Sequence, residues 1–441
     1  MPNHIYIKDK IKNFNKKITV TADKSISIRS VLFASQAVGI SKISNLLESE
    51  DVLNTLKTIK KLGINYTKQK NTYYIEGFGL NSFNIKRNIT LNAGNSGTLA
   101  RLILGLLTKS KLKVRLIGDK SLSTRDFSRV IKPLRLFGAN IKSNNNKLPI
   151  EILGTDFLRP IKYFENIGSA QVKSCILLSA LNTPGTTVIN AKSSRNHTEL
   201  MLKFLENPIK IQKKKNFEKI SINGLNQFKA FKYNVPGDIS SAAFFIVLTL
   251  LSKKSQIIIE KVNINPSRIG IIKILNKMGA NIKLKKKKLY NGERIADIHV
   301  KSKNNLKSIN CPSNLNSSAI DEFLIIFLVA AKAKGISKFK DLGEMNQKES
   351  KRLDLATNFL KIIGIKVKRI KNDINIYGNP NLTLSENFEM KNFLKDHRIF
   401  FLSCITALTL GGKWKINDKD SINTSSPNFL QTLKILGAKI N

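Results

Sequence analysis

A single cadence recurs along the chain and restricts the folds open to it: a helical pattern closes on glycine and passes at once into a short β-like run. It is seen at Lys61-Leu62-Gly63-Ile64, Leu136-Phe137-Gly138-Ala139-Asn140-Ile141, Lys277-Met278-Gly279-Ala280-Asn281-Ile282, Ile363-Gly364-Ile365 and Leu436-Gly437-Ala438-Lys439-Ile440. A degenerate copy fits at Phe204-Leu205-Glu206-Asn207-Pro208-Ile209. Glycine just past the last helical turn is the residue that tolerates the left-handed conformation needed there. The copies stand about 70 to 85 residues apart, longer than common solenoid repeats.

Each copy also carries an earlier helix whose start gathers polar residues: Lys24-Ser25, Asn95-Ser96-Gly97-Thr98, Ser169-Ala170-Gln171, Asp238-Ile239-Ser240-Ser241, Ser317-Ser318-Ala319-Ile320-Asp321 and Asp396-His397-Arg398. Strands such as Val114–Ile117 and Thr187–Ile189 complete the unit, giving an α/β chain of six β-α-β-α-β-β repeats. At 441 residues two domains are expected. Three repeats fall in 22–237 and three in 238–441, with Val235-Pro236-Gly237 as the hinge. Residues 1–21, including a strand at Ile18-Thr19-Val20, pair with either domain on this reading. If the six polar helix starts point one way, their partial positive ends suit a small, multiply charged anion in a cleft.

The richest of these stretches is Asn346-Gln347-Lys348-Glu349-Ser350-Lys351-Arg352. Leu353, Ala356, Leu360 and Ile363 follow at helical spacing, so a helix is expected to begin here with Lys348 and Arg352 on one side. Glu349 among cations and bound anions would have a raised pKa, which suits proton transfer; the other reading is a solvated, mixed-charge helix start. Asp321 precedes the apolar run Phe323–Ala331, either as an N-cap or, in a converging site, as a general base. Asn92-Ala93-Gly94-Asn95-Ser96-Gly97-Thr98 lets backbone approach an anion but lacks a nucleotide P-loop's G-K-[ST].

Composition excludes several classes. Cys175, Cys311 and Cys404 are far apart and odd in number, so neither a disulfide framework nor a zinc site is expected. No apolar run approaches 20 residues, and the N-terminus carries no signal-peptide or transit-peptide pattern, so a cytoplasmic protein is expected. The 75 basic and 30 acidic residues leave a net charge of +45. A nucleic-acid binder and an enzyme for highly anionic substrates both accommodate that charge. Most of the Lys excess, in runs such as Lys213–Lys215 and Lys285–Lys288 without interleaved aromatics, reads as compositional bias.

Taken in order, D-K-S-I-S-I-R at Asp23–Arg29, N-A-G-N-S-G-T at Asn92–Thr98, G-D-K-S-L-S-x-R at Gly118–Arg125, S-A-Q-V-K-S at Ser169–Ser174, R-N-H-T-E at Arg195–Glu199, V-P-G-D-I-S-S-A-A-F-F at Val235–Phe245, I-D-E-F at Ile320–Phe323, K-E-S-x-R at Lys348–Arg352 and D-H-R at Asp396–Arg398 carry a resemblance. The chain resembles the 3-phosphoshikimate 1-carboxyvinyltransferase (5-enolpyruvylshikimate-3-phosphate synthase) family over essentially its whole length. The resemblance implies two domains, each of three repeats about a pseudo-threefold axis, with the N-terminal strand in the second domain. It implies transfer of the enolpyruvyl group of phosphoenolpyruvate to the 5-hydroxyl of shikimate 3-phosphate, on the path to chorismate and aromatic amino acids, by a monomer with no cofactor, metal, nucleic acid or membrane.

The resemblance also assigns residues. Lys24 contacts both substrates. Ser25, Arg29, Ser169, Ala170, Gln171, Arg195, Asp321 and Lys348 hold shikimate 3-phosphate, while Gly97, Arg125, Gln171, Arg352 and Arg398 hold phosphoenolpyruvate. Asp321 takes the hydroxyl proton, and Glu349 with Lys24 moves protons at the phosphoenolpyruvate methylene. Departures are Asp126 where Pro is frequent, Lys351 where Asp is usual, and Thr424 where some members have Lys. Gly97 implies sensitivity to glyphosate. Two other readings stand beside this one: a sister enolpyruvyl transferase acting on UDP-N-acetylglucosamine, which usually carries a loop Cys absent from Gly118–Arg125, and a basic nucleic-acid-binding protein of related repeat fold.

Overall fold

The computed structural model describes residues 3–215, 217–393 and 395–441. The chain forms two compact units. The N-terminal unit holds Ala22–Val235 and the short return Tyr290–Glu293; the C-terminal unit holds the segment ending at Thr21 together with Pro236–Leu289 and Arg294–Asn441. The chain therefore changes unit next to the proline of Val235-Pro236-Gly237.

Among the described residues the N-terminal unit is built from three four-stranded sheets and the C-terminal unit from one four-stranded and two three-stranded sheets, packed on buried helices. In the second repeat, Ile89–Asn92 runs parallel to Val114–Ile117, which pairs antiparallel with Lys147–Leu153, with Asn140–Asn144 on the edge. The third repeat repeats this order with Lys162–Glu165, Thr186–Ala191, Glu218–Asn223 and Ile209–Lys213. A parallel pair needs a crossover connection, and the helices Gly97–Leu106 and Ala170–Leu181 supply it. These helices are apolar on nearly every side, which places them inside rather than on the surface. They approach closely: a Cβ on Gly105 would stand 2.3 Å from the Cys175 carbonyl oxygen, so only glycine fits.

The first repeat has no preceding strand of its own. Lys232–Asn234, from the far end of the unit, takes that place beside Val38–Ser44. In the C-terminal unit the corresponding strand of the fourth repeat is Asn15–Ile18, parallel to Gln256–Ile259. The N-terminal strand thus lies three residues earlier than the Ile18–Val20 expectation and in the C-terminal unit. Its burial explains the miss: only Ile18 of Asn15–Ile18 is buried, so no alternation marks the strand. In the sixth repeat Leu384–Met390 runs parallel to Gly411–Asn417, and His4–Ile7 completes the sheet antiparallel to it.

The glycines of the recurring cadence adopt positive φ: Gly63 90°, Gly138 113°, Gly279 88°, Gly364 77° and Gly437 98°. In the degenerate copy Glu206 takes this role, with φ of 57°. Two apolar clusters fill the molecule, one per unit, and the C-terminal one surrounds the apolar helices Ile239–Leu251, Phe323–Lys332 and His397–Leu410.

Candidate functional site

In the N-terminal unit the side chains singled out from sequence gather around the starts of three buried helices. Asp23 caps Lys24–Ala34 by accepting from the Ile26 N–H (2.9 Å), which presents Lys24 and Ser25 at the first turn. Lys24 Nζ lies 2.9 Å from Asp51 Oδ2, a carboxylate in the first turn of helix Glu50–Lys61. One turn on, Arg29 is buried. Its Nε donates to Thr198 Oγ1 (2.8 Å), Nη2 to Ser174 Oγ (2.9 Å) and Nη1 to the Ser25 carbonyl (2.9 Å). Beside it Lys173 and Glu199 form a fully buried ion pair at 2.6 Å.

Helix Ala170–Leu181 begins at its N-cap Ser169, whose hydroxyl accepts from Val172 N–H (3.4 Å). This helix links two groups of residues. Ser174 joins it to Arg29, and Gln171 joins it to the second-repeat helix, its Nε2 donating to Thr98 Oγ1 (3.1 Å) and its Oε1 accepting from Arg101 Nη1 (3.0 Å). Arg101, which the sequence reading passed over, also donates to the carbonyls of Gly97 and Asp126 and lies 4.7 Å over the Phe127 ring. Arg125 donates to Asn95 Oδ1 (3.1 Å). Gly97 is pinned between these cations: a Cβ there would stand 2.8 Å from Arg101 Nη1 and 3.0 Å from Arg125 Nη1. Asp126 touches Arg101 through its backbone carbonyl, a contact that Pro would also supply. Arg195 is half-buried just ahead of helix His197–Phe204.

The second group lies in the C-terminal unit and centres on Arg352. Its guanidinium is 1% exposed and meets three carboxylates: Asp396 (Nε to Oδ2, 2.9 Å; Nη2 to Oδ1, 3.3 Å), Asp321 (Nη1 to Oδ1, 3.2 Å) and Glu349 (Nη2 to Oε2, 2.6 Å). Burial alone would lower the Arg352 pKa, but the negative field of Asp396, Glu349 and Asp321 outweighs it and raises it. Asp321 Oδ1 is also 3.4 Å from Lys348 Nζ, its Oδ2 is 3.9 Å from Arg398 Nη2, and its carbonyl accepts from Arg398 Nη1 (2.9 Å). Lys348, Glu349, Arg352, Arg398 and Asp321 are thus brought together.

Two local expectations are corrected. The helix begins at Arg352, after a 3-10 turn over Gly343–Gln347, so Lys348 precedes it in extended backbone. Its first N–H groups are also occupied: Arg352 N donates to the Ser350 carbonyl and Leu353 N to Asn346 Oδ1. The cations offered here are therefore side chains, not a bare helix terminus. Asp321, in turn, is not an N-cap. The helix Phe323–Lys332 follows Glu322, and the Asp321 carboxylate is turned toward the cations instead.

Asp396, noted only as part of a helix start, proves to be the anchor of this group. It is wholly buried and caps His397–Leu410 through the Arg398 N–H (3.0 Å), while Oδ2 accepts from Ser350 Oγ (2.7 Å). Burial would raise its pKa, but Arg352 overrides that and holds it below the usual carboxylate range. A buried carboxylate two residues from Arg398 was the available signal. Of the departures, Lys351 is an exposed N-cap without a side-chain bond, and Thr424 Oγ1 lies 3.2 Å from His397 Nδ1. Among the described residues no His, Cys, Asp or Glu cluster suited to a metal is present, and no helix is long and apolar enough to cross a membrane.

Comparison with known proteins identifies the family and the fold. The sequence model of EPSP synthase (3-phosphoshikimate 1-carboxyvinyltransferase) matches residues 8–433. A protein named 3-phosphoshikimate 1-carboxyvinyltransferase from Ruthia magnifica subsp. Calyptogena magnifica is 42% identical over 430 residues, 96% of each chain. One of the same name from Zymomonas mobilis is 38% identical over 428 residues, 96% of this chain and 94% of its own. The solved EPSP synthase of Acinetobacter baumannii superposes with a TM-score of 0.87 at 34% identity, covering 99% of both chains. The enolpyruvyl transferase NikO from Streptomyces tendae shares the fold, with a TM-score of 0.76 at 13% identity over 100% of this chain and 99% of its own. The six-repeat α/β architecture is therefore the enolpyruvyl transferase fold, and the chain belongs to the EPSP synthase (3-phosphoshikimate 1-carboxyvinyltransferase) family.

Proposed function

We propose that the chain transfers the enolpyruvyl group of phosphoenolpyruvate to the 5-hydroxyl of shikimate 3-phosphate and releases inorganic phosphate. The observation that carries this reading is the pair of carboxylates, Asp321 and Glu349, held on one buried guanidinium with Lys348 beside them. Proton-handling acids set among fixed cations are what an addition–elimination on an anionic enol ester requires.

In the addition step Asp321 takes the proton of the attacking hydroxyl as the oxygen bonds to the enol carbon. The methylene carbon takes a proton, with Glu349 and Lys24 as the groups that move it. In the elimination step the resulting methyl group returns a proton, the enol double bond re-forms and the C–O bond to phosphate breaks. Ser25, Arg29, Ser169, Ala170, Gln171, Arg195 and Lys348 hold the phosphorylated acceptor. Gly97, Arg125, Gln171, Arg352 and Arg398 hold the donor, with Lys24 touching both. Each charge-assisted hydrogen bond contributes about 1.5–3 kcal/mol. The protein works as a cytoplasmic monomer in this reading, without cofactor.

The test is phosphate release from phosphoenolpyruvate with shikimate 3-phosphate or UDP-N-acetylglucosamine as acceptor, for wild type and Asp321→Ala. Release with shikimate 3-phosphate alone, lost in the variant, is the expected outcome. Release with the sugar nucleotide alone would replace the acceptor, and a folded wild type silent with both would remove the reaction.

A further inference from the structure

The fourth-repeat sheet ends in a long hairpin, Asn281–Tyr290 and Glu293–Lys301, joined by Asn291-Gly292. Both turn residues have positive φ, 48° and 78°, as a two-residue type I′ turn requires. The tip, Tyr290–Glu293, belongs to the N-terminal unit although its strands do not. There Gly292 fits against helix His197–Phe204: a Cβ would stand 3.1 Å from the Leu200 carbonyl oxygen and 3.2 Å from Phe204 Cβ. Asn291 Nδ2 donates to the Lys232 carbonyl (3.3 Å).

What the tip delivers is a carboxylate. Glu293 Oε1 lies 2.5 Å from His197 Nδ1, and both side chains are at most 2% exposed. A carboxylate only accepts, so Nδ1 is the protonated nitrogen of the ring. Burying such a group is costly unless it is well paired, and so a hairpin tip gains nothing from Glu as mere filler. The residue after His197 is Thr198, whose Oγ1 accepts from Arg29 Nε (2.8 Å) and lies 2.7 Å from Ser174 Oγ. His197 and Thr198 open the same helix, so fixing the imidazole fixes the hydroxyl that aims the guanidinium.

We propose that Glu293 is a positioning residue for the phosphorylated acceptor. By pairing with His197 it sets the helix start from which Thr198 orients Arg29, and Arg29 in turn holds the acceptor. The proposal rests on the reaction proposed above.

The test measures phosphate release with each substrate varied separately, together with thermal unfolding, for wild type, Glu293→Ala, Glu293→Gln, His197→Ala and the double alanine variant. Glu293→Ala is expected to raise KM for shikimate 3-phosphate about 5- to 30-fold, the factor that one to two kcal/mol produces, with kcat and the phosphoenolpyruvate KM nearly unchanged. Glu293→Gln restores most of the loss, because its carbonyl still accepts from Nδ1–H. The double variant loses no more than the single ones, as coupled residues require. A folded Glu293→Ala with an unchanged shikimate 3-phosphate KM, equal losses in both KM values and kcat, or a Gln variant as impaired as Ala would overturn it. Should Glu293→Ala fail to fold, Glu293→Asp, one methylene shorter, must show the same rise or the proposal falls. A wild type inactive with shikimate 3-phosphate would count against the reaction itself, whereas an active wild type with insensitive Glu293 variants counts against the positioning role alone.

Discussion

Asp396→Asn should separate the anchoring of Arg352 from the chemistry it serves. The carboxylate accepts four hydrogen bonds: Arg398 N and Arg352 Nη2 at Oδ1, Ser350 Oγ and Arg352 Nε at Oδ2. Asparagine has one oxygen to offer. If it keeps the helix cap, its NH₂ confronts Ser350 and Arg352 Nε; turned over, it confronts the cap and Nη2. In the first case Ser350 can turn its hydroxyl to accept but Arg352 Nε loses its acceptor, and in the second two N–H donors lose theirs, in a site where Asp396 is wholly buried. Breaking a buried pair from one side costs about 3–5 kcal/mol, toward the lower end here because Asp321 and Glu349 still hold Arg352. The guanidinium then shifts toward those acids, and a displacement of about 1 Å in a substrate-positioning group costs on the order of 10²-fold in rate. The assay is initial-rate phosphate release with phosphoenolpyruvate varied at saturating shikimate 3-phosphate, alongside a denaturant melt. A folded variant whose kcat/KM for phosphoenolpyruvate stays within about threefold of wild type would refute the anchoring argument.

Gly97→Ala places a methyl 2.8 Å from Arg101 Nη1 and 3.0 Å from Arg125 Nη1, and so both heads must give way. The expected result is a rise of about tenfold in KM for phosphoenolpyruvate, worth about 1.4 kcal/mol, with a larger rise in the glyphosate inhibition constant; equal inhibition of both proteins would contradict it. Acid stability should also depend on Asp396. Its folded-state pKa lies below that of the unfolded chain, burial being outweighed by Arg352, so its contribution is present above the unfolded value of about 3.9 and is lost as pH falls through the folded value. The gap in unfolding free energy between wild type and Asp396→Asn should therefore narrow as the pH is taken from about 6 to about 3. A gap independent of pH would mean that the pair contributes nothing.

What the sequence disclosed was local in character. The glycine closing each repeat is visible because a left-handed residue is needed at one fixed offset from a helical pattern, and Glu206 shows the need persisting where the glycine is missing. The polar helix starts were legible for the same reason, since a cap and its helix are adjacent in the chain. What escaped notice depends on distant partners. Lys232–Asn234 has no pattern that would assign it to a strand begun at Val38. Arg101 reads as an ordinary helix-surface cation until Gln171 is brought to it. Glu293 sits in a β-hairpin whose composition says only that it turns. The apolar spacing after Arg352 extends back naturally over Lys348, whereas Asn346 ends that pattern early by taking the Leu353 N–H.

The strands at the two ends of the C-terminal unit bear on how the chain is made. The strand His4–Ile7 pairs with Gly411–Asn417, and Tyr6 exchanges backbone hydrogen bonds with Asn441, so this strand waits for partners about 400 residues further along the chain. At a synthesis rate of about 5–20 residues per second that interval is roughly 20–80 s. The N-terminal unit can lay down its own three sheets once Lys232–Asn234 emerges, and Asn15–Ile18 meets Gln256–Ile259 soon after, while His4–Ile7 is still without its partners. Lys8, Lys10 and Lys12 follow the waiting strand, and their charge favours keeping it in water until its partners arrive.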